Sequence, residues 1–391
     1  MRGGMPGQLL RPREASRRAS FLELFFDLAF ILALNRVSLA LEQDLTLGGA
    51  FRAALLLAAI WWVWFVTAWS TDWFDPGTPL IIGLLLWVMF GGLMMAAAAP
   101  SAYSGHGLVF AGAYVAIHLG RPAFLLPALR GNPLRVRTLR VAVWFALSAV
   151  LWLTGALVEP AQVALWTVAV VLDLSLARLR WPTPGLGRSS WADLQVIGEH
   201  LAERYQQIYI IALGELILTA GIVYSTTGFD LSRTAAFALA FVNAVSLGRL
   251  YLVPGGVRLG AAIDALGPSG SRLGLLAGYL HLVMVAGVVA AAVGAQVMIA
   301  EPLSRDPAAL MVALSGPALF LIGWILLAAA VHHRVSWHRP VGLVAIVALA
   351  AAGRGLPLLA GSAILSVLLI LIAHAERLTP ARTGGTGRRP G

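Results

Sequence analysis

Two short stretches place acids and bases where an apolar chain should not tolerate them. FLELFFDLAF, residues 21–30, carries Glu23 and Asp27 among eight apolar residues. At i, i+4 on a helix these carboxylates share a face, one turn apart. GEHLAERYQQIYIIALGELIL, starting at Gly198, holds Glu199 and Glu203 as one such pair and His200 and Arg204 as another. Glu215 follows eleven residues after Arg204. That spacing puts Arg204 and Glu215 within about 20° on one helix face but about 16 Å apart along the axis, beyond direct contact. Carboxylates beside imidazole or guanidinium can hold a proton, bind a cation or act as general acid and base. They can equally form a structural ion pair, a helix cap or a buried hydrogen bond, and both readings stay open here.

The surroundings raise the cost of either role. Of 391 residues, 59% are hydrophobic and 12% charged, with a mean hydropathy of +0.83. Soluble domains have about 45–50% apolar and about 25% charged residues. Repeated apolar runs of about 20 residues match the hydrocarbon thickness of a bilayer. The runs are continuous and rich in Leu and Ala, unlike the alternating strands of a membrane barrel. The expected class is therefore all-α, a polytopic transmembrane bundle whose first partner is the lipid bilayer. If hydrocarbon begins near Phe21, Asp27 lies about 9 Å deep. A bare Asp at mid-span costs roughly 2.5–3.5 kcal/mol on insertion scales, so Asp27 must face the interior, protonated or paired. Glu215, near the middle of its span, is the most expensive carboxylate, and an intramembrane acid is a functional-site hypothesis.

Other spans supply possible partners: His118 and Arg121 in GAYVAIHLGRPAFLL, Asp173, Asn243 and Arg249, then Tyr279 and His281. The expected arrangement is a polar vestibule opening inward, with Asp27, Arg121, Asp173, Glu203, Arg249 and His281 in one half and Glu215 near the floor. No HExxH zinc motif, GxxxxGK[ST] loop or GxSxG elbow occurs. No cysteine is present, which removes thiol chemistry, disulfides and cysteine-ligated metals. His332, His333 and His338 sit in a basic loop and give only a faint metal signal. No cofactor is implied. WWVWFVTAW fits helix packing and interfacial belts.

Twelve spans are expected to position these residues: about 21–42, 47–70, 78–99, 105–129, 137–157, 160–180, 203–224, 231–252, 273–299, 307–331, 340–353 and 355–375. The last two are short, and a hairpin that crosses only partly is the alternative. Residues 1–20 form a basic segment without the apolar core of a signal peptide. Residues 376–391 read as a disordered basic tail. With the N-terminus inside, 21 of 28 arginines fall on the inner side and five on the outer. That bias predicts a cell-membrane protein with both termini cytoplasmic. It also assigns the net charge of +10 to topology rather than to nucleic acid. One inner loop, TDWFDP, carries Asp72 and Asp75 and no arginine. ELFFDLAFILAL and ERYQQIYIIALG, opening spans one and seven, raise the possibility of two parallel six-helix halves, 21–180 and 199–375.

The same stretches resemble the bacterial low temperature requirement A family. SFLELFFDLAFILAL, HLAERYQQIYIIALGELIL and YLHLVMVAGVVAAAVG occur in the family's order, and the resemblance covers nearly the whole apolar region. It implies a multi-pass membrane protein with a cold-growth phenotype and brings no substrate or mechanism. Its motif acids correspond to Glu23, Asp27, Glu203 and Glu215, with Arg204 and His281 beside them. The chain departs from the pattern at Arg36 and Leu39, at Leu216, and in LYLVPGG after span eight.

Three functions follow as expectations. The first is movement of a proton, ion or small solute past the acids. The second is a non-catalytic membrane component, and the third a lipid-modifying enzyme, disfavoured because no catalytic motif is present.

Overall fold

A computed structural model describes residues 9–11, 19–252, 259–332 and 336–378, and these residues are overwhelmingly helical. The helices of the first half are α1 (Phe21–Glu42), α2 (Leu47–Trp73), α3 (Pro79–Ala98), α4 (Gly107–Ala128), α5 (Leu134–Leu157) and α6 (Gln162–Leu179). Those of the second are α7 (Gly198–Thr227), α8 (Leu231–Leu252), the short α9 (Leu259–Ala265), α10 (Gly270–Ala300), α11 (Pro307–His332), α12 (His338–Ala352) and α13 (Leu358–Leu378). Among the described residues eleven helices are long and apolar enough to cross a bilayer, one fewer than the twelve spans expected.

The difference is α12. Its 15 residues extend about 22 Å, against a hydrocarbon core of about 30 Å. Even so, it carries the chain back along the bundle. Leu358 and Leu359 at the start of α13 donate backbone hydrogen bonds to Ser304 and Pro302, in the α10–α11 loop. Since α11 has already run away from that loop, α12 and the residues after it make the return. Four elements begin earlier than expected: α5 at Leu134, α7 at Gly198, α10 at Gly270 and α12 at His338. Their polar first turns hide the start from a hydropathy reading. The helix α9 was not expected at all. The last helix runs to Leu378, past the expected end at 375. The segments 1–8, 12–18, 253–258, 333–335 and 379–391 lie outside the described residues, and with them most of the expected basic arms, His333 and the end of LYLVPGG.

Helix α1 is started by a capping box. The Ser20 hydroxyl accepts from Glu23 N at 3.3 Å, and Glu23 Oε2 accepts from Ser20 N at 2.7 Å. The helices then follow one scheme twice. In the first half α1 packs on α2 and α3, α3 on α4, α4 on α5, α5 on α6, and α6 returns to α2. In the second α7 packs on α8 and α10, α10 on α11, α11 on α12, α12 on α13, and α13 returns to α8. The halves meet where α1 lies against α7 and α10.

The TDWFDP loop finds its arginine at long range. Leu10 forms an antiparallel bridge with Phe74, and Arg11 N donates to Trp73 O at 3.0 Å. The segment before α1 therefore lies over the end of α2. Asp72 is not a loop residue but part of the last buried turn of α2.

Candidate functional site

The start of α7 meets the start of α1 and the end of α2 around one buried imidazole. His200 Nδ1 lies 2.9 Å from Asp72 Oδ1, and His200 Nε2 lies 3.0 Å from Glu23 Oε1. Arg11 Nη1 is 2.8 Å from the same Nε2 and also donates to Thr71 O at 3.0 Å. Each carboxylate has its other oxygen occupied by backbone. Asp72 Oδ2 accepts from Ile197 N at 2.9 Å, and Glu23 Oε2 completes the α1 cap. The start of α1 favours the Glu23 anion and the start of α7 favours Asp72, against the opposing C-terminal end of α2 on which Asp72 sits.

The geometry gives Nε2 two alternative states. Nδ1 faces a carboxylate oxygen and so carries a proton. If Nε2 also carries one, it donates to Glu23. If it does not, it accepts from Arg11. The imidazolium form would balance Glu23 and Asp72 against Arg11 and His200, while the neutral form leaves one excess negative charge. Above this cluster lies an open groove of about 690 Å3, whose lining includes Arg11, Asp72, Arg137, Asp193, Glu199 and Asp264.

One turn further along both helices, Asp27 and Arg204 form a bidentate pair. Arg204 Nη1 donates to Oδ2 at 2.8 Å and Nη2 to Oδ1 at 2.7 Å, with both side chains fully buried. Trp64 Nε1 adds a third bond to Asp27 Oδ1 at 2.8 Å, and Gln207 Oε1 accepts from Arg204 at 3.0 Å. Of the two options for Asp27, protonation or pairing, the structure has the pair. Glu203 flanks it, accepting from Ala19 N at 3.1 Å.

The third polar level of the α1–α7 seam is Glu215. Its Oε1 accepts from the Thr219 hydroxyl at 2.9 Å, and Asn35 Nδ2 donates to that same hydroxyl at 2.9 Å. Among the described residues Glu215 Oε2 has no partner, although the side chain is fully buried. Contacts pair 23 with 200, 27 with 204 and 35 with 219 in rising order, so α1 and α7 run parallel. Apolar residues such as Phe30, Leu34 and Ile208 fill the interval between the second and third levels.

The remaining expected residues lie elsewhere, so the structure has several polar stations in place of one continuous vestibule. Asp173 Oδ2 accepts from Tyr114 at 2.7 Å, Ser148 at 2.9 Å and Trp152 at 3.4 Å, inside α4, α5 and α6. His281 donates from Nδ1 to Ala277 O at 2.7 Å, which leaves Nε2 to accept from Tyr251 at 2.9 Å, and its ring stacks on Tyr205. Tyr279 donates to Leu174 O at 2.6 Å. Arg121 reaches α2, donating from Nη2 to Val63 O at 2.8 Å and to the Thr67 hydroxyl at 2.6 Å. Beside it, an apolar cavity of about 80 Å3 lies between α2, α4, α5 and α6, near the groove end of the bundle.

The sequence reading missed Asp72, Trp64, Arg11 and Gln207. Asp72 was legible as a carboxylate but was read as a loop residue. No spacing rule links positions 11, 72 and 200.

A search of solved structures finds no match. An uncharacterized protein of Rhizobium meliloti (strain 1021) is 38% identical over 311 residues, covering 78% of this chain and 76% of that one. The family described as "Bacterial low temperature requirement A protein (LtrA)" matches residues 18–374. With its polar motifs facing one another across α1 and α7 and the match running through nearly every helix, the chain belongs to the bacterial low temperature requirement A family.

Proposed function

We propose that this protein is a transporter that moves a proton, an ion or a small solute along the seam between α1 and α7, and that it is not an enzyme. The observation carrying this reading is the His200 imidazole, held 2.9 and 3.0 Å from two buried carboxylates, one of which, Asp72, also lines an open groove. Such a group can take a proton from water and change its partner as it does so. Two further ionisable levels, Asp27–Arg204 and Glu215, continue the seam inward, and intramembrane acids of this kind mark ion and proton paths.

The repeated packing scheme supports the same reading. We take the halves 21–180 and 199–375 as parallel repeats, with α1 and α7 equivalent helices at their junction, the usual place for a transporter's site. The described start of α1 and end of α13 lie at the same end of the bundle. The arginine bias supports a cytoplasmic location for that end, the groove and both termini, in a bacterial inner membrane.

The test is flux in proteoliposomes across a panel of cations, anions and proton gradients, comparing wild type with Glu215→Gln, Asp27→Asn and His200→Gln. Flux in the wild type that is lost in a folded variant supports transport. A folded wild type that passes nothing in the panel sinks it. A second reading, a non-catalytic membrane component supporting growth in the cold, is favoured by the bidentate Asp27–Arg204 pair with its added bonds to Trp64 and Gln207, which suits a rivet. That reading expects neutralised acids to change stability alone. Lipid conversion in the same vesicles would instead point to an enzyme.

A further inference from the structure

Among the described residues, the first half contains a buried cation without an anion. Arg121 spends Nη2 on α2, while Nε and Nη1 have no partner among the described residues, and the residue is only 5% exposed. One turn earlier on α4, His118 is 1% exposed and neither of its ring nitrogens has a partner. At least one of those nitrogens carries a proton, so it too is an unused donor. Both side chains line the cavity between α2, α4, α5 and α6. The rest of the wall is largely apolar and aromatic, including Trp62, Phe65, Val141 and Phe145, with Arg137 as its other charged residue.

We propose that this cavity binds a small monocarboxylate, with its head on Arg121 and His118 and its short apolar body against the aromatic wall. The charge follows from the Arg121 guanidinium, because a buried cation without an anion is costly and one carboxylate would neutralise it. Charge-assisted bonds from Arg to a carboxylate are among the stronger polar contacts. A second guanidinium in the wall, Arg137, already donates to Asp193 O at 2.9 Å and lies over the Trp73 ring, so Arg121 is the cation left for an anionic head. The apolar wall favours an acid with a hydrocarbon body over a hydrated inorganic ion. The volume of about 80 Å3 sets the body at a few carbons. This inference uses only the first half and does not rest on the α1–α7 seam, so flux and binding can fail separately.

The test is calorimetric titration of the purified full-length protein with butyrate, with butanol, butylamine, chloride and octanoate as comparisons. Saturable butyrate binding is expected, with butanol, butylamine and chloride much weaker. Arg121→Gln should weaken butyrate by at least about tenfold, the usual worth of a hydrogen bond to a charged group. Because Arg121 also ties α4 to α2, Val141→Phe provides a variant that fills the cavity and leaves the guanidinium in place. It should block binding, while Phe145→Ala should shift preference toward longer acids. No binding of butyrate to folded wild type, or binding undiminished in both Arg121→Gln and Val141→Phe, overturns the proposal. So does butanol or chloride binding as tightly as butyrate. Progressive tightening through octanoate would assign the site to a lipid-derived acid and overturn the short-chain assignment.

Discussion

Asp27 and Arg204 illustrate how a charge survives inside this bundle. Neither is exposed, and their two parallel hydrogen bonds are supplemented by Trp64 and Gln207. Desolvation opposes such a pair, so its net worth is modest, yet removing one partner leaves the other charged and stranded. Asp27→Asn should therefore destabilise by about 3–5 kcal/mol, read as a lower melting temperature in detergent. Adding Arg204→Met to Asp27→Leu should recover much of the loss of either single change, because no charge is left unpaired. Additive losses in that cycle would show that the two side chains do not act as a unit. Glu23 differs in kind, since one oxygen caps α1 while the other faces His200. Replacing it would disturb both the helix start and the hydrogen bonding around His200.

At the scale of helices, close approach decides where small residues are required. A Cβ built on Gly287 would meet Gly316 O at 2.5 Å, and one built on Gly316 would meet Ala291 N at 2.5 Å. Backbone cannot yield as a flexible side chain can, and small residues at such contacts let membrane helices pack closely. Gly316→Ala should lower the melting temperature by separating α10 from α11. Gly214→Ala, whose Cβ would enter open space, should leave it unchanged or raise it, because Ala favours helix over Gly. Equal effects of the two would refute the close-packing argument.

The start of α8 supplies a pH-dependent element. The Ser232 hydroxyl, the Arg233 backbone N–H and the Arg233 guanidinium hold the Asp230 carboxyl well below the usual carboxylate range. Stabilisation from a depressed carboxyl is fully present above the unfolded value, about 4, and is lost as pH falls toward the folded value. The small gap in melting temperature between wild type and Asp230→Asn should stay constant from about pH 5 to 8 and shrink below about pH 4. A gap that grows on acidification would contradict this sign.

For the whole molecule, the chain's lack of cysteine gives a clean background for labelling. Cysteines placed at Asp75, in the α2–α3 loop, and at Asp306, in the α10–α11 loop, should be reached by an impermeant maleimide from opposite faces of a vesicle. Labelling of both from one face would break the up-and-down course of the chain. A second pair, Asn35→Cys with Thr219→Cys, sits where the native side chains are 2.9 Å apart. Cross-linking it should pin α1 to α7 and stop flux, if the halves move against each other during transport. Full flux in the cross-linked protein would exclude that motion.

Much of this architecture was legible in the chain alone. Composition and run length determined an all-helical membrane bundle, because a bilayer demands about 20 apolar residues per crossing and satisfies no stray backbone. The cost of charge in hydrocarbon singled out Glu23, Asp27, Arg204 and Glu215, and the ordered motifs suggested the family. Helical periodicity could say which acids share a face, but not which residues of other helices lie opposite. Only the tertiary structure gave His200 its two carboxylates, since Asp72 and Arg11 come from distant parts of the chain. It also gave Asp27 to Arg204, left Glu215 Oε2 without a partner and Arg121 without an anion among the described residues, and divided the expected vestibule into separate stations. The physical reason is that local rules act over a few turns of one helix, whereas pairing across a bundle depends on how helices cross.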